Sequence, residues 1–261
     1  MQKNPAPAEE QICFFQMRLA GKNIEVECKN RREYAKCKPY LCAFETPDIV
    51  VRASQEEIKA RQAKSEIMIG RPITDVDEID GIESQIIYEK IVEQLIRYDI
   101  FLMHGSVVAL DDNAYMFTAP SGTGKTTRTQ LWLQEYPSSI IVNGDKPLIR
   151  IAENEVLACG TPWCGKEGWN TNVMIPLRAV FLLERVSDSE QSAIEEISFK
   201  SALPILLGQT YCPAGLNKVS TLIRLLKSLD TKVRFFRFRS APTAESIRLA
   251  YETACLSDRN A

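Results

Sequence analysis

The sharpest chemical signal in this chain of 261 residues lies in one short segment. Ala119-Pro120-Ser121-Gly122-Thr123-Gly124-Lys125-Thr126 has the spacing of a phosphate-cradling loop: a small residue, four intervening positions, then Gly-Lys-Thr. Alanine stands where the first glycine usually does. Glycines at 122 and 124 allow the backbone to bend close to a ligand, and a helix starting at Lys125 aims its unpaired N–H groups at the same point. Ser121, Gly122, Thr123, Gly124, Lys125, Thr126 and Thr127 are therefore read as the residues around a polyphosphate. Lys125 would reach the β and γ phosphates, and the Thr126 hydroxyl would face Mg²⁺. The alternative is a Gly-rich turn that binds nothing. Strand-like AYMFT before the motif and helical spacing in TTRTQLWLQEY after it favour the first reading.

Phosphoryl chemistry around magnesium also needs a carboxylate on a neighbouring strand. Two apolar runs end in one, Ile140 to Asp145 and Ala179 to Glu184. Asp145 is preferred because its strand directly follows the helix of the loop, whereas Glu184 precedes Arg185 and reads equally as a surface ion pair. His104 is the only histidine. If a hairpin turn centres on Asp112, cross-strand pairing sets His104 opposite residue 120, where an imidazole can polarise a carboxylate or accept a proton from a hydroxyl. Between residues 160 and 172 runs GTPWCGKEGWNTN. Lys166 would neutralise phosphate charge and Trp163 or Trp169 would stack on a base or peptide side chain; equally, the segment is an ordinary loop stapled by buried tryptophans.

These residues need a scaffold, and the pattern predicts an α/β one. The first third reads as small α+β material. Strands are expected at 12–19 and 23–28 around an Ala20-Gly21-Lys22 hairpin and at 49–53, followed by a capping-box helix over 54–66 opened by Ser54 and Glu57. An apolar face of Ile82, Ile86, Ile87, Ile91, Leu95 and Ile96 predicts a packing helix over 82–98. Then come extended IFLMHGSVVAL and AYMFTA around Asp111-Asp112-Asn113, a helix at 125–135, and strands near 139–143, 147–151 and 155–159. A buried strand at 179–184, helices near 190–207 and 216–228, a strand at 233–238 and a helix from Pro242 complete the reading. One compact domain with an N-terminal elaboration is expected, divided as 1–98 and 99–261.

The 32 Lys+Arg nearly cancel the 34 Asp+Glu, leaving a formal charge of -2 and no basic footprint for nucleic acid or an anionic membrane. Residues 1–10 lack an apolar signal core, no run is long enough to span a bilayer, and a cytoplasmic location is expected. Eight cysteines then read as reduced thiols. Cys37 with Cys42 and Cys159 with Cys164 share a four-residue gap that four-thiolate zinc sites seldom use, so buried inert thiols are preferred.

His104-Gly105, the loop APSGTGKT at 119–126, VNGDKP at 142–147 and the GTPWCGKEGWNTN segment together resemble the core of the HPr kinase/phosphorylase family and its small relatives. That core is similar to the nucleotide-binding half of phosphoenolpyruvate carboxykinase. The resemblance covers about residues 100–240 and implies a P-loop nucleotide-binding α/β core with an N-terminal α+β elaboration. It implies ATP and Mg²⁺ held by Lys125, Thr126 and Asp145, with His104 supporting an acid/base carboxylate and phosphoryl passing to a serine or threonine hydroxyl of a protein or peptide. A homo-oligomer is compatible with it. The chain departs from the family pattern at Gly144, where the first of two adjacent aspartates would stand, so the base is Asp145 or His104 itself. It also lacks the family's Glu-x-Arg-Gly segment. A nucleotide-binding regulator without transfer activity is the alternative.

Overall fold

The structure, a computed structural model, describes residues 13–184 and 193–255. The readings made for residues 1–10, for Arg185 and for the start of a helix at 190 lie outside them. The chain divides into two compact units, Met1–Ile91 and Val92–Ala261.

In the first unit, β1 (Cys13–Leu19) and β2 (Lys22–Cys28) form an antiparallel hairpin in which Leu19 pairs with Lys22. Its two-residue turn, Ala20-Gly21, takes positive φ at both positions, as the twist of tightly joined strands demands. After α1 (Arg31–Cys37), β3 (Ile49–Arg52) lies parallel to β2. The predicted capping box is present: Ser54 N donates to Glu57 Oε2 at 2.8 Å and Glu57 N to Ser54 Oγ at 3.3 Å. The helix it opens, α2 (Gln55–Ile69), runs past the expected end at 66 until Gly70 takes the left-handed conformation. α3 (Val76–Leu95) starts six residues before the expected 82. Asp77 and Glu78 in its first turn suit the helix dipole but add nothing to the apolar periodicity that was read. Ile82 and Ile86 pack with Ile58 and Ile73.

The second unit is a mixed α/β fold. In chain order it contains β4 (Ile100–Leu102), β5 (Ser106–Leu110), β6 (Asn113–Thr118), α4 (Lys125–Glu135), β7 (Ile140–Asn143), β8 (Leu148–Ile151), β9 (Val156–Cys159) and β10 (Met174–Glu184). β11 (Ala193–Ile197), α5 (Phe199–Gln209), α6 (Leu216–Lys227), β12 (Arg234–Arg239) and α7 (Ala244–Cys255) follow. One ladder runs β7-β5-β6-β10-β12-β11, and a branch runs β4-β8-β9-β10. β10 serves both: Met174–Pro176 pair antiparallel with β9, while Leu177–Glu184 pair parallel with β6 and β12. The reading at 179–184 caught only the half that is buried on both faces.

Alternate residues of the central strands enter separate cores. Val107, Met116, Val180 and Leu182 pack toward Ala202, Leu206, Leu222 and Leu225 of α5 and α6. Phe117, Phe181, Phe236 and Phe238 pack toward Trp132 of α4 and Ile247 and Ala250 of α7. Helices thus cover both faces, which is why these strands read as continuous apolar runs.

Two expectations are corrected. Residues 193–197 form β11 rather than the start of a helix, because Glu195 and Glu196 pair across the ladder with Arg237 and Arg234 and outweigh the helix preference of Ala and Glu. The long extended segment 100–110 is broken at His104-Gly105, where the chain leaves β8's partner β4 and enters β5. Gly105 permits this: a Cβ there would lie 2.9 Å from the Phe117 carbonyl oxygen. No helix of the described residues is long and apolar enough to cross a membrane.

Candidate functional site

β6, β10 and β12 are mutually aligned, β7 shares their direction, and antiparallel β5 starts where they end. The loop after β6, the residues after β7 and the residues before β5 therefore meet at one sheet edge, beyond the carboxyl ends of the aligned strands, where open α/β sheets bind ligands. A cavity of about 510 Å³ lies there. It is lined by Ser121, Gly122, Gly124, Lys125, Thr126 and Thr127 on one side, by His104, Gly144 and Asp145 below, and by Gly165, Lys166 and Glu167 opposite.

The first side is built by backbone conformation. Gly122 (φ 78) and Gly124 (φ 97) both occupy the left-handed region, and Gly124 caps α4 without any side-chain cap on the helix N–H groups. Lys125 is 8% exposed, and its ammonium donates to Ala119 O at 2.8 Å and Pro120 O at 3.4 Å. Burial pushes its pKa down, partly opposed by the charge of Asp145. Of the expected polyphosphate residues, Thr123 alone stays off the lining; its hydroxyl donates back to Pro120 O at 2.9 Å.

His104 and Asp145 meet, though by a different route from the one expected. The β5–β6 turn is Asp111-Asp112, both at positive φ, with Leu110 opposite Asn113, so the register is one residue off the turn centred on Asp112. The ladder starts at Ser106, and His104 instead belongs to the connection between β4 and β5, which lie in different arms of the sheet. There His104 Nε2 lies 3.1 Å from Asp145 Oδ1, and Nδ1 lies 2.9 Å from Oε1 of Gln209 at the end of α5. Gly105 N donates to Asp145 O at 2.9 Å, tying the two segments through the backbone as well. Asp145 Oδ2 accepts from Lys146 Nζ at 3.0 Å. The His104 hydrogen bond, then Lys146, hold the Asp145 pKa down to about 2 against the upward push of burial. It is a carboxylate at neutral pH.

Asn143 fixes this turn. Fully buried, it accepts from the backbone N–H of Asp145 (2.8 Å) and Lys146 (2.6 Å) and donates to Thr161 O and Oγ1, both at 3.0 Å. Gly144 sits beneath the 160–172 loop, where an added Cβ would lie 3.1 Å from the Cys164 carbonyl oxygen and 3.4 Å from Trp169 Cβ. Neither Trp163 nor Trp169 lines the cavity: the first is buried, and the second borders a separate shallow depression beside β7 and gives its carbonyl to Gly144 N. Trp163 fits the staple reading, Trp169 is only half-buried, and Lys166 faces the cavity.

Glu184 turns elsewhere, 3.1 Å from Arg237 Nε and 4.0 Å from Arg239 Nε. Among the described residues no cluster of three metal-ligating side chains occurs, and Cys37 and Cys159 are free, buried thiols, the latter pushed up to about 12 by desolvation. Sequence reasoning passed over Asn143, Gln209, Arg128 and Glu167. Gln209 and Arg128 act through partners far away in the chain, which no local pattern reveals, whereas Asn143 bonds to the backbone two and three residues on, an Asx turn that Asn-Gly-Asp could have signalled, and Glu167 sat visibly between Gly165 and Gly168. The Glu167 side chain has no hydrogen-bond or ion-pair partner among the described residues.

No protein-family model matches the chain, and no curated protein sequence matches it. Among solved structures, the HPr(Ser) kinase/phosphatase from Coxiella burnetii aligns with a TM-score of 0.34 and 12% identity, over 60% of this chain and 90% of that one. A likeness of that size decides neither fold nor activity.

Proposed function

We propose that this chain binds a nucleoside triphosphate, ATP, with Mg²⁺ in the cavity at the sheet edge and transfers the γ-phosphoryl group to a serine or threonine hydroxyl of a protein or peptide. The observation that carries the reading is the convergence in one cavity of an uncapped helix N-terminus bearing Lys125 with the His104–Asp145 pair. The residues suit the metal: the Thr126 hydroxyl and the Asp145 carboxylate are hard oxygen donors lining the same cavity. When bound, Mg²⁺ supplies charge neutralisation on the phosphate oxygens.

This chain's own groups divide the remaining work. Lys125 and the first-turn N–H groups hold the polyphosphate, and the low dielectric around a nearly buried ammonium strengthens that hold. His104, gripped at both ring nitrogens, fixes the Asp145 carboxylate. Asp145 is a weak proton acceptor with both oxygens engaged and a pKa near 2. The unpartnered carboxylate of Glu167 is better suited to take the hydroxyl proton as the acceptor oxygen bonds to Pγ and the bridging Pβ–O–Pγ bond breaks, ADP leaving with the electron pair. Incubation with γ-labelled ATP, Mg²⁺ and a library of Ser/Thr peptides tests this. Labelled peptide supports it, and a chain that binds no nucleotide sinks it.

A regulator that binds nucleotide without transfer is favoured by one feature: Gly144, the residue preceding Asp145, carries no carboxylate, and an added Cβ would lie only 3.1 Å from the Cys164 carbonyl oxygen. Nucleotide binding with no transfer to any hydroxyl would select that reading.

A further inference from the structure

Arg128 lies one turn into α4, on the side of the 119–124 loop away from the cavity. It is 2% exposed, yet among the described residues no carboxylate pairs with it. Its Nη1 donates to Thr123 O at 3.4 Å, and Nη2 donates to Ser240 O at 2.5 Å and approaches Ser240 Oγ at 3.4 Å. The guanidinium carbon stands 5.3 Å from the centroid of the Phe238 ring, and Nε has no hydrogen-bond partner. A Cβ added to Gly124 would lie 3.0 Å from Nη1, so the charge presses against the loop backbone itself.

A buried cation without a counter-charge costs stability, and an apolar replacement of similar volume commonly relieves that cost. Under the function proposed above, an anion, the polyphosphate, occupies the cavity lined by the other face of the same loop.

Resting on the function proposed above, we propose that Arg128 is a positioning residue of the phosphate loop. It clamps the Thr123-Gly124 backbone to Ser240, and its buried charge is held in reserve for the triphosphate across one layer of backbone. The field of a cation in a water-poor setting acts through such a layer with little screening. The free chain bears the cost, and ligand binding offsets it.

The test is calorimetric titration of the whole chain with inorganic tripolyphosphate and with Mg·ATP, beside melting temperatures without ligand, for wild type, Arg128→Met, Arg128→Gln and Arg128→Lys. Both neutral variants are expected to bind each ligand at least ~10-fold more weakly while melting within a few degrees of wild type, the relieved charge offsetting the lost hydrogen bonds, and Arg128→Lys is expected to recover part of the affinity. A structural arginine gives the opposite pattern, a lowered melting temperature with affinity unchanged, and that result overturns the proposal. Should Arg128→Met fail to fold, Arg128→Gln, which keeps a donor toward the carbonyls, decides alone. Wild type that binds neither ligand removes the reading of the loop itself; wild-type binding matched by all variants removes only the role of Arg128.

Discussion

The two walls of the cavity are made differently. The wall at 121–127 stands on the core: Lys125 and Arg128 are buried, Thr129 is fully buried with its hydroxyl bonded to Ser106 and to the Lys125 carbonyl, and Trp132 anchors α4 among the aromatic side chains of β6 and α7. The opposite wall, Gly165-Lys166-Glu167-Gly168, is exposed and turns on two glycines at positive φ. A preorganised wall suits the invariant part of a reaction, the polyphosphate, because its donors need no reordering when the ligand arrives. An exposed loop on a rigid base suits the variable part, the acceptor. The division of labour is testable by breaking each wall in turn.

The largest effect is expected on the rigid wall. Lys125→Ala should weaken Mg·ATP binding by ~100-fold and abolish transfer, read by calorimetry and label incorporation; undiminished binding would mean that the cavity takes another ligand. Next comes the floor: Asp145→Asn should lower kcat by roughly 10²- to 10³-fold with a smaller change in ATP affinity. On the exposed wall, Glu167→Gln should lower kcat by about 10²-fold while ATP affinity stays within a factor of two. Equal kcat would return the base to Asp145 or His104.

Two smaller effects concern the joint between the walls. Gly144→Asp should not raise activity. It should instead destabilise the chain by about 1–3 kcal/mol, seen as a fall of several degrees in Tm, because the new Cβ presses on the Cys164 carbonyl. The Asp145 pKa is depressed in the folded chain, so its contribution to stability is complete above the ordinary carboxylate pKa near 4 and disappears as pH falls from there through about 2. That contribution is about 1–2 kcal/mol after allowance for partial exposure, and acid unfolding of Asp145→Asn should lack it.

The conformation of the 119–124 loop and the bounds of α4 were legible from sequence because each rests on local chemistry. Glycines at 122 and 124 dictate backbone sign, and the helix spans Lys125–Glu135 as the spacing predicted. The capping box at Ser54 was legible for the same reason. Where the reading failed, a distant partner decided. β11 exists because Arg237 lies opposite Glu195 and Arg234 pairs with Glu196 on the neighbouring strand, and the first half of β10 exists because β9 is there to pair with it.

His104 shows both sides of that boundary. Its being the single histidine near a phosphate-loop pattern made it a candidate, but the expected pairing opposite residue 120 does not form: the β5–β6 ladder starts at Ser106 and His104 lies outside it. Its partners, Asp145 and Gln209, sit 41 and 105 positions away in the chain and meet it only because β4 and β5 belong to different arms of a branched sheet. The sequence by itself determined the elements whose conformation is written in a few adjacent residues: turns, caps, the loop and its helix. The tertiary structure alone decided which carboxylate is held, which is left without a partner, and which cation is buried behind the loop, because desolvation and pairing depend on neighbours far apart in the chain.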